Sequence, residues 1–173
     1  MPHKIFNVLF LCTGNTARSI LAEGILRKDG AGLFNSFSVG SQPKGVVNPF
    51  ALQTLAAFDY PYTDYRSKSW DAFADGPTMD FIFTVCDNAA GEACPIWPGH
   101  PMTAHWGIAD PAHVEGSDIA KETAFADAFK HLRNRISLFI NLPFDKLEGV
   151  ALRTRLREIG RSEGATETSM KGA

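Results

Sequence analysis

Apolar positions along the chain change period several times, and each change marks an element. Ile5 to Leu11 is an almost continuous apolar run, the pattern of a parallel strand covered on both faces. From about Thr16 to Asp29 the apolar and small residues Ile20, Leu21, Gly24 and Ile25 recur at helical spacing, which predicts a helix lying on a sheet. Phe37 to Val39 predicts a short second strand ending at Gly40. Asn48 and Pro49 open a second helix through Phe58, with asparagine as cap and proline in the first turn, where a missing N–H costs nothing. Asp59-Tyr60-Pro61 stops it, 63–68 reads as loop, and Trp70 to Phe73 as a helical turn. Met79 to Cys86 is the clearest buried strand. Pro95 to Gly99 breaks regular pairing, and Thr103 to Trp106 reads as the last strand. Ser117 to Asn141 predicts a long helix that buries Ile119, Phe125, Phe129, Leu132, Ile136 and Phe139. Beyond Pro143, Leu147 to Ile159 reads as an extra basic amphipathic helix, and polar Gly160 to Ala173 as a disordered tail.

This order of strands and helices is that of an α/β fold: a doubly wound, mainly parallel four-stranded sheet with helices on both faces. It divides into a domain over 1–142 and a C-terminal extension over 143–173. A chain of 173 residues, 45% hydrophobic and 21% charged, supports one core of ordinary soluble composition. Its formal net charge of -2 gives no electrostatic reason to expect nucleic acid or an acidic membrane as partner. No apolar run approaches the roughly 20 residues of a membrane span. The N-terminus shows no signal-peptide pattern, so a cytoplasmic protein is expected. Three cysteines cannot all pair internally, which in that compartment favours reactive thiols over structural bridges.

The chemistry concentrates between the first strand and first helix, in Cys12-Thr13-Gly14-Asn15-Thr16-Ala17-Arg18-Ser19. A loop at a helix N-terminus directs backbone N–H groups and partial positive charge at an oxyanion. Arg18 can grip two oxygens with its planar fork. The same field favours a nucleophilic thiolate at Cys12. Thr13, Gly14, Asn15, Thr16, Ala17, Arg18 and Ser19 would thus cradle the anion. Asn15 suits a left-handed backbone, and Ser19 is placed either to hydrogen-bond the Cys12 sulfur or to cap the helix. The bland alternative is a buried strand-end thiol and a solvated arginine. Zinc at Cys86, Cys94, His100 and His105 is a weaker competitor because the cysteine spacing is too long for a structural site. No metal or cofactor is expected.

These residues, with Ala22-Glu23-Gly24, Ser38-Val39-Gly40, Asn48-Pro49, Thr84-Val85-Cys86, Cys94-Pro95 and His105 to Ala112, resemble the low-molecular-weight tyrosine phosphatase superfamily. Within it the chain is most similar to the thioredoxin-coupled arsenate reductases. The resemblance covers residues 5 to about 140. It implies that Asp110, before Pro111, is the general acid, although Asp-Pro also starts turns. It implies that Cys12 attacks arsenate, that Cys86 and Cys94 complete a disulfide relay, and that thioredoxin regenerates it, with phosphate or sulfate as competing oxyanions. The alternative is a phosphatase that hydrolyses phosphomonoesters through a Cys12 phosphocysteine. The two extra cysteines favour the reductase, as does the lack of tyrosines beside Asp110. Seven residues, Asp87 to Ala93, separate Cys86 from Cys94, one more than is usual in that group. Some of these reductases bind potassium beside the loop through residues matching Asn15, Glu23 and Ser38. Lys68 falls where a further carboxylate would lie, and its ammonium is expected near Glu23, in place of the cation.

Overall fold

The structure, a computed structural model, describes residues 4–73, 75–87, 89 and 97–167. Four strands, β1 (Phe6–Cys12), β2 (Phe34–Gly40), β3 (Phe81–Thr84) and β4 (Met102–His105), form one sheet in the order β2-β1-β3-β4. Every pairing is parallel. Val8, Leu9, Phe10 and Leu11 of β1 have no exposed surface. Successive side chains point to opposite faces, so both faces of this central strand are covered.

Among the described residues the helices are α1 (Arg18–Asp29), α2 (Pro49–Ala57), α3 (Asp118–Ile140) and α4 (Gly149–Gly160). The Asn48 side chain accepts from the Phe50 N–H at 2.9 Å and caps α2, with Pro49 in its first turn. Ser117 caps α3 by accepting from Ala120. Short 3-10 turns occupy Trp70–Phe73 and Pro111–His113. Among the described residues no helix is long and apolar enough to cross a membrane.

Several elements depart from the sequence reading. Strand β2 begins at Phe34, three residues early; as an edge strand it accommodates the polar Asn35 and Ser36, which broke the apolar pattern. Strand β3 covers only Phe81–Thr84 because its neighbour β4 ends there, leaving Val85 and Cys86 buried beyond the ladder. Ile119, expected in the buried stripe of α3, is 74% exposed. It lies in the first turn, ahead of the packed face that starts at Phe125.

The extension belongs to the same core. Leu152, Leu156 and Ile159 of α4 are buried in it. The Trp106 indole, stacked on Phe83 with ring centroids 3.6 Å apart, donates to the Leu156 carbonyl at 2.9 Å. Gly160 permits that approach: a Cβ there would stand 2.4 Å from the His105 carbonyl oxygen. The segment 161–167, read as disordered, is also docked, through an antiparallel bridge between Ile108 and Ala165. Its anchor is Arg135, fully buried, which donates to the carbonyls of His131, Ser162 and Glu163 at 3.0, 3.2 and 3.1 Å. Burial pushes this guanidinium down to about 10. Two of those carbonyls lie just past the negative end of α4, where a cation is favoured. Residues 168–173 of the expected tail lie outside the described residues.

Candidate active site

Parallel register gathers the chemistry at one edge of the sheet. Cys12 pairs with Gly40, Leu11 with Thr84, and Thr84 with His105, so the carboxyl ends of all four strands coincide. Strand order reverses between β1 and β3, and the crevice outside such a switch point is where open α/β sheets hold ligands. A cleft of about 210 Å³ lies there. Cys12, Thr13, Gly14, Thr16, Ala17 and Arg18 line one side, joined by Gln42, Lys44, Cys86, Asp110 and His113.

The loop's shape is fixed from behind. Asn15 is buried with φ +48, the left-handed conformation expected of it. Its amide donates to Ser19 Oγ at 2.8 Å and Ser38 Oγ at 3.0 Å, and its carbonyl oxygen accepts from the Lys68 N–H at 2.9 Å. Ser38 passes the network on to Glu23 Oε1 at 2.5 Å. Glu23, 4% exposed, is paired with Arg27 at 2.6 Å, and Lys68 Nζ stands 3.7 Å from its other oxygen. The lysine thus lies beside Glu23, where the sequence reading put it. Burial lowers its pKa, with Glu23 opposing the shift. Ser19 meets Asn15, so its hydroxyl supports the loop; its expected bond to the Cys12 sulfur does not appear among the described contacts. The carbonyls of Thr13, Gly14 and Thr16 are engaged by Gln42, Lys44, Ser67 and Asn48. Gly40 allows this closeness, since a Cβ there would meet the Thr13 carbonyl at 2.5 Å.

Across the cleft, Arg18 Nη1 donates to the Ile108 carbonyl at 2.9 Å, and Nη2 lies 3.3 Å from Asp110 Oδ2. The arginine is therefore not a solvated helix residue. Asp110 takes the turn-starting role weighed for it and also borders the cleft. Its Oδ1 accepts from the Ala112 N–H at 2.9 Å, starting the 3-10 turn, while Oδ2 faces the cleft between Arg18 and His113 Nε2, 3.3 Å away.

At the floor lie two thiols, Cys12 and Cys86, 6% and 2% exposed. They are hydrogen-bonded to each other, and this bond pulls the Cys86 thiol down to about 5 against the cost of burial. The Thr13 hydroxyl and the N–H groups of Ala89 and Thr13, the amides at 3.4 and 3.3 Å, support the Cys86 thiolate. The bond to Cys86, burial and the neighbouring negative charge together hold the Cys12 thiol well above the ordinary range. Arg18 and the Thr13 N–H pull the other way and are outweighed. The direction of both shifts favours negative charge on Cys86 over Cys12, whereas the sequence reading put the thiolate on Cys12. The third thiol, Cys94, lies outside the described residues.

Beside Cys86, the Asp87 carboxylate receives His105 Nε2 at 2.7 Å, and Thr84 Oγ1 meets the other ring nitrogen at 2.7 Å. Both His105 nitrogens are committed, which leaves none for a metal. Among the described residues no group of three metal-binding side chains gathers. The sequence reading missed Gln42, Lys44 and His113 in the cleft, and Asp87 beside it. For Gln42 and Lys44 a signal existed: a parallel strand next to the first must deliver its following loop beside the oxyanion loop.

Residues 7–145 match the family described as low molecular weight phosphotyrosine protein phosphatase. An arsenate reductase of Oceanobacillus iheyensis is 34% identical over 139 residues, covering 80% of this chain and 96% of that protein. The arsenate reductase of Bacillus subtilis is 31% identical over the same span and coverage. Among solved structures, an arsenate reductase in the phosphate binding state superposes with a TM-score of 0.63 at 22% identity, covering 79% of this chain and 97% of that one. A thioredoxin-dependent arsenate reductase of Corynebacterium glutamicum gives 0.57 at 23% identity, covering 81% of this chain and 64% of that one. A low molecular weight protein tyrosine phosphatase from T. tengcongensis gives 0.62 at 20% identity, covering 82% and 99%.

Proposed function

Because the chain belongs to the low molecular weight phosphotyrosine protein phosphatase family, with curated relatives that are arsenate reductases, we propose that it reduces arsenate to arsenite and is regenerated by thioredoxin. The observation that carries this reading is the pair of buried, hydrogen-bonded thiols at the floor of an oxyanion cleft. Hydrolysis through a phosphocysteine needs one thiol. Reduction needs two electrons, hence a second sulfur within reach of the first.

Arsenate sits against Arg18 and the loop. Cys12 attacks arsenic as the thiolate, with the single proton of the dyad held on Cys86 across their hydrogen bond. Asp110 protonates the departing hydroxide, which leaves as water. Cys86, whose donors make it acidic, then loses that proton to solvent and attacks the Cys12 sulfur. The sulfur–arsenic bond breaks with both electrons going to arsenic, arsenite departs, and a Cys12–Cys86 disulfide remains. Cys94 then attacks Cys86, frees Cys12 and leaves a Cys86–Cys94 disulfide for the thioredoxin dithiol to reduce. The last exchange requires the two Cα atoms to come within about 7 Å. The thioredoxin-dependent neighbour supports this choice of reductant.

The test is arsenate-dependent NADPH oxidation with thioredoxin and its reductase, run beside hydrolysis of an aryl phosphate. Sustained oxidation that stops in Cys86→Ser supports the reading. Rapid aryl phosphate hydrolysis without arsenate turnover would make the protein a phosphatase.

A further inference from the structure

The turn that carries Cys86 is tied at both ends by side chains that bond to one imidazole. Before it, Thr84 Oγ1 meets His105 Nδ1 at 2.7 Å; after it, Asp87 Oδ1 meets His105 Nε2 at 2.7 Å. One imidazole therefore spans Thr84 to Asp87 with Cys86 inside the span. The Asp87 carboxylate can only accept, so Nε2 carries the hydrogen, and in the neutral ring Nδ1 takes the Thr84 hydroxyl proton.

A second group reaches the same carboxylate oxygen from much later in the chain: Thr166 Oγ1 donates to Asp87 Oδ1 at 2.7 Å. Thr166 is itself held, because its N–H donates to the Gly107 carbonyl at 3.2 Å and Ala165 bridges Ile108. Gly107 makes the convergence possible. A Cβ there would lie 2.5 Å from His105 Nε2, 2.7 Å from Asp87 Oδ1 and 2.7 Å from Thr166 Oγ1. The family match ends at residue 145, so this contact is supplied by the extension. The Asp87 side chain is 40% exposed, which leaves the contact open to exchange with water.

We propose that Thr166 is a positioning residue for Cys86: by holding the Asp87 carboxylate, it keeps the turn closed and the Cys86 sulfur against Cys12. In turnover this bears on the relay proposed above, where Cys86 must stay beside Cys12 for one step and leave it for the next. The extension thus contributes to the reactivity of a thiol 80 residues earlier, the difference between 166 and 86.

Alkylation of Cys86 by iodoacetamide in the reduced protein, followed by peptide mass mapping, tests this without arsenate or thioredoxin. A failed clasp would therefore leave the relay standing, and an inactive relay would leave the clasp standing. Measured near pH 9, where an ordinary thiol is ionised as well, the rate reports access to the sulfur. Thr166→Ala should alkylate about tenfold faster than the wild type, the scale of one hydrogen bond to a charged group. Thr166→Ser should restore the slow rate, and Thr166→Ala should add nothing once Asp87→Ala is in place. The near-isosteric Thr166→Val, which removes only the hydrogen-bonding group, carries the same expectation if the alanine variant does not fold. A wild-type rate in the folded alanine or valine variant, or an undiminished Thr166→Ala effect in the Asp87→Ala background, would overturn the proposal.

Discussion

A hydrogen bond between two sulfurs sets the acidity of both at the residue scale. The bond from Cys12 is the largest cause of the lowered Cys86 pKa. Cys12→Ala should therefore raise the pH at which the Cys86 thiolate forms, measurable from its ultraviolet absorbance or pH-dependent alkylation. The linkage has a definite sign. Between about pH 5 for the folded thiol and about pH 8.5 for an unfolded one, the native chain lacks a proton that the unfolded chain keeps. The stability from Cys86 is thus fully present above that window and is lost as pH falls through about 5. Urea denaturation across that range in the wild type and in Cys86→Ser should differ accordingly. Cys12→Ser should abolish both arsenate reduction and any phosphatase activity. Arg18→Lys should lower kcat by about 10²–10³-fold, since an ammonium cannot replace the fork. Lys68, 3.7 Å from Glu23, predicts that exchanging sodium for potassium at constant ionic strength leaves the wild-type rate unchanged, and that Lys68→Ala loses activity. Strong potassium activation of the wild type would rule this role out.

Elements were legible in the sequence where one face or one period dominated. The apolar run of β1, the Asn48-Pro49 start of α2 and the packed face of α3 from Phe125 onward could be read directly. The sequence also placed Cys12, Arg18 and Asp110 around one cleft and Lys68 beside Glu23. It could not locate the charge. The Cys12 and Cys86 pKa values depend on a hydrogen bond formed only when β1 and β3 lie side by side. Nor did polarity reveal that 161–167 docks, because what holds it is backbone: carbonyls around Arg135 and a bridge at Ala165. Gly160, at the end of α4, shows how close the docking is. Gly160→Ala should cost about 1–3 kcal/mol by overpacking against the His105 backbone. The Trp106 fluorescence should change as its bond to Leu156 is strained, and an unchanged denaturation midpoint would contradict the packing described.

At the scale of the molecule, α4 behaves as part of the core. A chain cut after Asp145 would lose Leu152, Leu156 and Ile159, each worth about 1.5–3 kcal/mol of burial, leave the Trp106 N–H without the Leu156 carbonyl, and leave the Arg135 guanidinium with His131 alone of the three partners described. Its denaturation midpoint should fall sharply; a midpoint equal to the full chain's would show the extension to be an ornament. Parallel pairing has a consequence for how the protein is made. Seventy-three residues separate Thr13 from the sulfur it binds, and 79 more separate Asp87 from Thr166. While the ribosome is still building the segment between β1 and β3, Cys12 is a lone thiol with ordinary acidity. Only when β3 emerges and pairs does the dyad exist, and only when Thr166 follows is the Cys86 turn tied down. Reactivity therefore arrives only with the pairing of β1 and β3, so the chain presents no activated sulfur to oxidants before that pairing.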